Sequence, residues 1–163
     1  MGKTTPAVEM IILIGLQASG KSTFYLQRFA ETHALVSKDL LRNNKNPARR
    51  QRQLIEGALQ AGRSLVLDNT NATREERAEL VRLGHGHGAM VTGYFFEPRV
   101  NRSLERNAQR EGKARVPDVA VFATMKKLAR PSYEEGFDQL FDVRTADDMC
   151  FNVSDRKEAG RRR

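Results

Sequence analysis

Two rhythms of apolar residues alternate along this chain. Short apolar, β-branched runs fall at residues 8–14, 34–36, 64–67, 90–96 and 140–143, with a weaker one near 149–153. Between them lie stretches with helical character, at 21–32, 46–61, 73–83, 100–110 and 118–128. Strand and helix in alternation predict a parallel sheet with helices on both faces. Such sheets bind ligands beyond the carboxyl ends of their strands, so the residues that follow each run become the candidates for chemistry. The 163 residues predict a single domain, with residues 1–7 and 155–163 as flexible ends.

The first strand leads straight into GLQASGKST, residues 15–23, which fits G-x-x-x-x-G-K-[ST]. Gly15 and Gly20 allow the backbone to curl so that successive N–H groups converge on an anion, and the following helix adds its positive end. Gln17, Ala18, Ser19 and Thr23 complete the expected nucleotide cradle. Lys21 is placed for the β- and γ-phosphates of ATP and the Ser22 hydroxyl for Mg²⁺. The fold expectation is therefore α/β, a P-loop NTPase-type parallel sheet of about five strands.

SKDLLR follows the second strand. Asp39 and Arg42 are three apart and share a face if a helix begins there. A carboxylate there suits removal of a proton from an attacking hydroxyl. A guanidinium suits a phosphate on the molecule that owns the hydroxyl. Asp39 is equally suited to capping a helix. After the third strand comes DNTN. Asp68 occupies the Walker B position, where a carboxylate supports Mg²⁺. Asn69, Thr70 and Asn71 are short polar groups that could meet the substrate or fix the neighbouring loops. Thr73, with Glu76 at capping-box spacing, reads as structural.

Beyond the fourth strand, Arg99, Arg102, Arg106, Arg110 and Lys113 recur at steps of three and four and are expected to line one helix face. Val100, Leu104 and Ala108 fall on the opposite face and are expected to turn inward. The stripe ends in a glycine-containing turn at Gly112, a layout that suits an arginine-bearing lid over a transferring phosphoryl group. A second basic run, RNNKNPARRQRQ (residues 42–53), has five basic residues and no acidic one. A polyanion approaching Asp39 would meet it. GHGHG (residues 84–88) reads as a flexible turn, and NKNP lacks the aspartate of a guanine-recognition motif.

Charge sharpens the choice of partner. With 28 Lys and Arg against 20 Asp and Glu, the formal charge is +8, which favours a polyanion. One cysteine, Cys150, excludes an intrachain disulfide and suits a reducing, cytoplasmic setting. No apolar run is long enough to cross a membrane.

GLQASGKST, SKDLLR, VLDNTN, RNAQREGKARVPD and PSYEEGFD follow the order and rough spacing of a known family. From about residue 9 to 143 the chain resembles 5′-hydroxyl polynucleotide kinase domains, those fused to a phosphatase and the phage end-healing kinase among them. The resemblance implies Asp39 as general base on a 5′-OH and Arg42 on the adjacent phosphate of the acceptor. It implies Arg106 and Arg110 as lid arginines on the donor phosphates. Asp68 through Asn71 would support the metal and scaffold the site. No D-x-D-G-[ST] phosphatase motif occurs, so a bare kinase working beside separate phosphatase or ligase enzymes is expected. The leading expectation is ATP-dependent phosphorylation of a 5′-OH end of DNA or RNA. A kinase of small-molecule hydroxyls and a non-catalytic ATP-dependent nucleic-acid-binding module are the alternatives.

Overall fold

A computed structural model describes residues 8–41 and 43–157. Six strands form one sheet: β1 (Glu9–Ile14), β2 (Ala34–Val36), β3 (Leu65–Asp68), β4 (Met90–Phe96), β5 (Gln139–Thr145) and β6 (Phe151–Arg156), in the order β2-β3-β1-β4-β5-β6. Every neighbouring pair is parallel except β5 and β6. The helices are α1 (Lys21–Arg28), α2 (Pro47–Gln60), α3 (Arg74–Gly86), α4 (Val100–Gln109) and α5 (Asp118–Lys127).

β1 is central because it is apolar on both faces: Met10 through Ile14 are fully buried. Its even residues join a core with Ile55 and Leu59 of α2 and Leu80 and Val81 of α3. Its odd residues Ile11 and Leu13 pack with Phe24 and Tyr25 of α1, Phe96 and Val143. Helices thus cover both faces, as the alternating pattern requires. Parallel register aligns Leu13 with Asp68 and Ile14 with Phe95, so the ends of β1, β3 and β4 lie side by side.

Several local expectations change. The weak sixth signal is a strand, shifted to Phe151–Arg156. Asp155 and Arg156, expected in a flexible end, therefore belong to the sheet, and Arg156 forms an ion pair with Asp142 on β5. α1 ends at Arg28, short of residue 32, because Phe29 turns its ring onto Phe24 and Tyr94, with centroids 5.8 and 5.7 Å apart. GHGHG is no flexible turn. α3 runs through Gly86, and a Cβ on Gly84 would come within 2.7 Å of Met10 and 2.8 Å of Val91. That glycine lets the helix lie close on the sheet, while Gly88 at φ +73 lets the chain leave it. Thr73 caps α3, accepting from the Glu76 N–H at 3.1 Å.

Candidate active site

The loop after β1 curls through a left-handed Ala18 (φ 56) and Gly20 (φ 97). A Cβ on Gly15 would lie 2.9 Å from Phe96 Cβ, and one on Gly20 would lie 3.0 Å from the Phe151 ring. Both glycines are therefore required by close packing, and Gly20 by conformation as well. No side chain caps α1, whose first turn carries no acidic residue. Its free N–H groups and positive end are left for an anion.

Lys21 is buried and folds back onto the loop. Its Nζ donates to Leu16 O at 2.6 Å, Gly15 O at 3.1 Å and Ser19 Oγ at 3.4 Å. Burial pulls its pKa down from 10.5 to about 8; Asp68 and Asp39 pull it back up, and Arg110 pushes it further down. Ser22 Oγ donates to Asp68 Oδ2 at 2.7 Å, which places a hydroxyl and a carboxylate of adjacent elements together. Hard oxygen donors of this kind fit Mg²⁺. Among the described residues no group of three or more His, Cys, Asp or Glu could hold a metal. A divalent ion here would thus take further ligands from nucleotide phosphates and water.

One cavity of about 930 Å³ unites most of the expected residues. Gln17, Ala18, Ser19, Lys21, Ser22, Asp39, Asp68, Asn69, Thr70, Asn71 and Arg110 all line it. Asp39 lies in a 3-10 turn, Lys38–Leu41, rather than on an α-helix, and its N–H donates to Ser37 Oγ at 3.2 Å. Asn69 holds that turn: its Oδ1 accepts from the Lys38 N–H and its Nδ2 donates to Gln51 of α2, both at 2.8 Å. Asn71, left-handed at φ 46, donates to Leu13 O at 2.8 Å and so pins its loop to β1. Arg42 lies outside the described residues.

Gly15, Gly20, Thr23 and Arg106 are not part of the described lining. The arginine stripe divides. Arg99 donates to Thr145 O at 3.1 Å and Arg102 to Asp147 at 2.7 Å, so both face the β5–β6 turn. Arg106 is partly buried, reaching Ala18 O and Ala146 O at 3.4 Å each, and burial lowers its pKa. Arg110 lies just past the end of α4 and is the stripe's member in the cavity. The inward face of α4 also differs from expectation: Ser103 and Asn107 are buried and Ala108 is exposed. Asn107 turns inward because it clasps the backbone of Val116, accepting from its N–H at 3.0 Å and donating to its O at 2.6 Å.

Arg77 and Glu135 escaped sequence reasoning, and Gln17, expected in the nucleotide cradle, has a partner that the sequence did not show. Gln17 Nε2 donates to Thr124 Oγ1 at 2.9 Å, tying the phosphate loop to α5, while its Oε1 is buried with no hydrogen-bond partner among the described residues. Arg77, fully buried, donates to Asn71 O and Ala72 O at 3.0 Å and forms an ion pair with Glu135. Gln17 was read only as part of the glycine motif and Glu135 only as part of PSYEEGFD, and nothing in the spacing marked Arg77 or joined it to Glu135.

Residues 10–132, well over half the chain, match the family model described as AAA domain. The chain belongs to this AAA domain family. Its AAA domain is 25% identical over 141 residues to the bifunctional polynucleotide phosphatase/kinase of Schizosaccharomyces pombe, covering 83% of this chain and 33% of that protein. It is 26% identical over 155 residues to transcription factor bHLH140 of Arabidopsis thaliana, covering 90% of this chain and 16% of that protein. The chain thus spans between about a sixth and a third of the length of these curated relatives. A gluconokinase from Sinorhizobium meliloti 1021 shares the fold with a TM-score of 0.61 at 18% identity, over 85% of this chain and 83% of its own. The chain has the P-loop α/β fold, with the six-stranded, mostly parallel sheet described above. Among the described residues no helix is long and apolar enough to cross a membrane.

Proposed function

We propose that this chain transfers the γ-phosphoryl group of ATP to the 5′-hydroxyl end of DNA or RNA. The observation that carries the reading is the shared cavity. Lys21 and the Ser22/Asp68 pair line it, and so do Asp39 and, from α2, Arg49 and Arg52. In this reading a donor-phosphate site, a carboxylate base and cations for the acceptor share one space. The similarity to a bifunctional polynucleotide phosphatase/kinase supports the acceptor class.

In this reading the loop N–H groups and Lys21 hold the donor phosphates, and Lys21 exchanges its loop carbonyls for them. Asp39 accepts the proton of the acceptor hydroxyl. The acceptor oxygen forms a bond to the γ-phosphorus as the bridging P–O bond breaks and ADP leaves with its electron pair. Ser22 and Asp68 would hold Mg²⁺, which would supply neutralisation of phosphate charge. Arg110 offsets charge on the moving group, and Arg42 takes the phosphate next to the accepting nucleoside. Holding both reactants in line and offsetting the developing charge together account for the acceleration such sites provide.

The decisive experiment offers [γ-³²P]ATP with matched 5′-OH DNA and RNA strands, nucleosides and sugars. Label on the strands supports the reading. Label confined to a nucleoside or sugar transfers the assignment to a small-molecule kinase. ATP hydrolysis without any labelled acceptor points to a non-catalytic binding module.

A further inference from the structure

The acceptor side of the cavity does not end at Asp39. A second hollow of about 420 Å³ shares Arg52, Glu79 and Leu83 with the first and continues to Glu56, Arg82 and His87. Together they make one open trough between α2 and α3. The helical spacing explains its walls: Asn46, Arg49, Arg52 and Glu56 fall on one face of α2, and Glu76, Glu79 and Leu83 on one face of α3. A nucleoside or sugar would leave the outer part unused. A chain of phosphates leaving Asp39 would pass Arg49, Arg52 and Arg82 in turn.

Arg52 stands where the two hollows join. Its Nε donates to Glu56 at 2.9 Å, and its Nη1 makes a longer 3.5 Å contact with Glu79 across the trough. Both pairs are exposed, with 59% of the Arg52 side chain and 66% of that of Glu79 accessible. Exposed pairs of this kind contribute little, so a phosphate oxygen can replace the Glu79 carboxylate at small cost.

We infer that the α2–α3 trough is the track of the acceptor strand, with Arg52 as a phosphate contact that Glu79 occupies until the strand arrives. This rests on the acceptor being a nucleic acid and deepens that reading: the substrate is an oligonucleotide several residues long, not a 5′-OH nucleoside or dinucleotide. Glu79 acts as a brake on strand binding and Arg52 as a grip, and neither touches the transferring group.

The test measures kcat/KM and, by anisotropy of 3′-labelled strands, Kd for 5′-OH oligonucleotides of two to twelve residues. Expected is affinity that rises with length and then levels off. Glu79→Gln should tighten the decamer about two- to fivefold and leave the dinucleotide unchanged. Arg52→Ala should weaken the decamer only and reduce its salt slope by about one. Thermal unfolding of both variants checks that the helices stay in place, and Arg82→Ala supplies an independent variant outside the ion pairs. Transfer that ignores length, with all three variants neutral or acting alike on dinucleotide and decamer, overturns the track and leaves the transfer reading standing. Binding with these dependences but no transfer to any strand refutes the transfer reading and leaves the track standing.

Discussion

Arg77 and Glu135, on elements 58 residues apart, meet as a buried two-pronged ion pair, Nε to Oε1 at 2.8 Å and Nη2 to Oε2 at 3.1 Å. The arginine side chain is 0% exposed and the glutamate 5%. The remaining nitrogen, Nη1, holds the backbone oxygens of Asn71 and Ala72, and Glu135 also accepts from the Ser132 N–H at 2.9 Å. One pair thereby binds α3, the segment before β5 and the loop that follows Asp68. Asp68, placed beside Ser22 by its register against Leu13 of β1, stands directly before that loop.

Arg77→Met should therefore destabilise the fold by about 3–5 kcal/mol, since it strands a buried carboxylate. Arg77→Met with Glu135→Gln should recover part of the loss, because no unpaired charge remains. Denaturant titrations of the wild type, both single variants and the double variant measure the coupling. Additive single effects would show that the two residues act separately.

Asp39→Ala removes the proposed base: the residue is exposed, and its backbone N–H donates to Ser37 Oγ within the 3-10 turn. Transfer to a 5′-OH strand should fall by about two to four powers of ten, the range for a general base, with ATP affinity within about twofold of wild type. Single-turnover kinetics and nucleotide titration separate the two effects. Equal labelling by the variant would remove Asp39 from the mechanism.

The strand positions and the loop were legible because both follow short-range rules. A strand buried on both faces must be apolar throughout, and a phosphate loop needs its glycines at fixed places. The expectation that Asp39 and Asp68 lie near the loop came from strand order together with the motifs they sit in, since both lie at or just past strand ends. The arginine stripe was only half legible. Spacing gave one face but not its partners, and Asp147 on a distant turn draws Arg99 and Arg102 away from the cavity. Helical periodicity also ranked Ala108 as inward on hydrophobicity, whereas Asn107 gains backbone hydrogen bonds by turning in. Arg77 was hidden in TREERAEL, a run that reads as solvated helix until Glu135 is brought to it.

Lys21 makes nucleotide binding dependent on pH. Burial pulls its pKa down to about 8, against 10.5 for the free side chain. A triphosphate beside it restores the charged form. ATP binding at pH 9 should therefore take up close to about one proton, and almost none at pH 6.5. Calorimetry in buffers of different ionisation enthalpy counts that proton, and Lys21→Met should abolish the uptake. The same shift has a sign for stability. The unfolded chain holds this proton between about pH 8 and 10.5 while the folded chain does not, so the contribution of Lys21 to stability rises with pH across that window.

Asn107 holds the segment that carries Arg110 against the cavity. It bonds Val116 through both backbone groups and reaches Asp118 at 3.4 Å, closing residues 110–117 into a loop over the end of α4. Lys113 and Arg115 stand exposed on that loop. Asn107→Ala removes these bonds, each worth about 1 kcal/mol net, and the local opening of the loop becomes correspondingly easier. Tryptic cleavage after Lys113 or Arg115 should accelerate by about tenfold or more, while global unfolding by denaturant changes far less. ATP should slow the cleavage in the wild type, because Arg110 then gains a phosphate partner, and should do so less in the variant. Unchanged cleavage in Asn107→Ala would mean that the loop is held by α5 and not by the asparagine clasp.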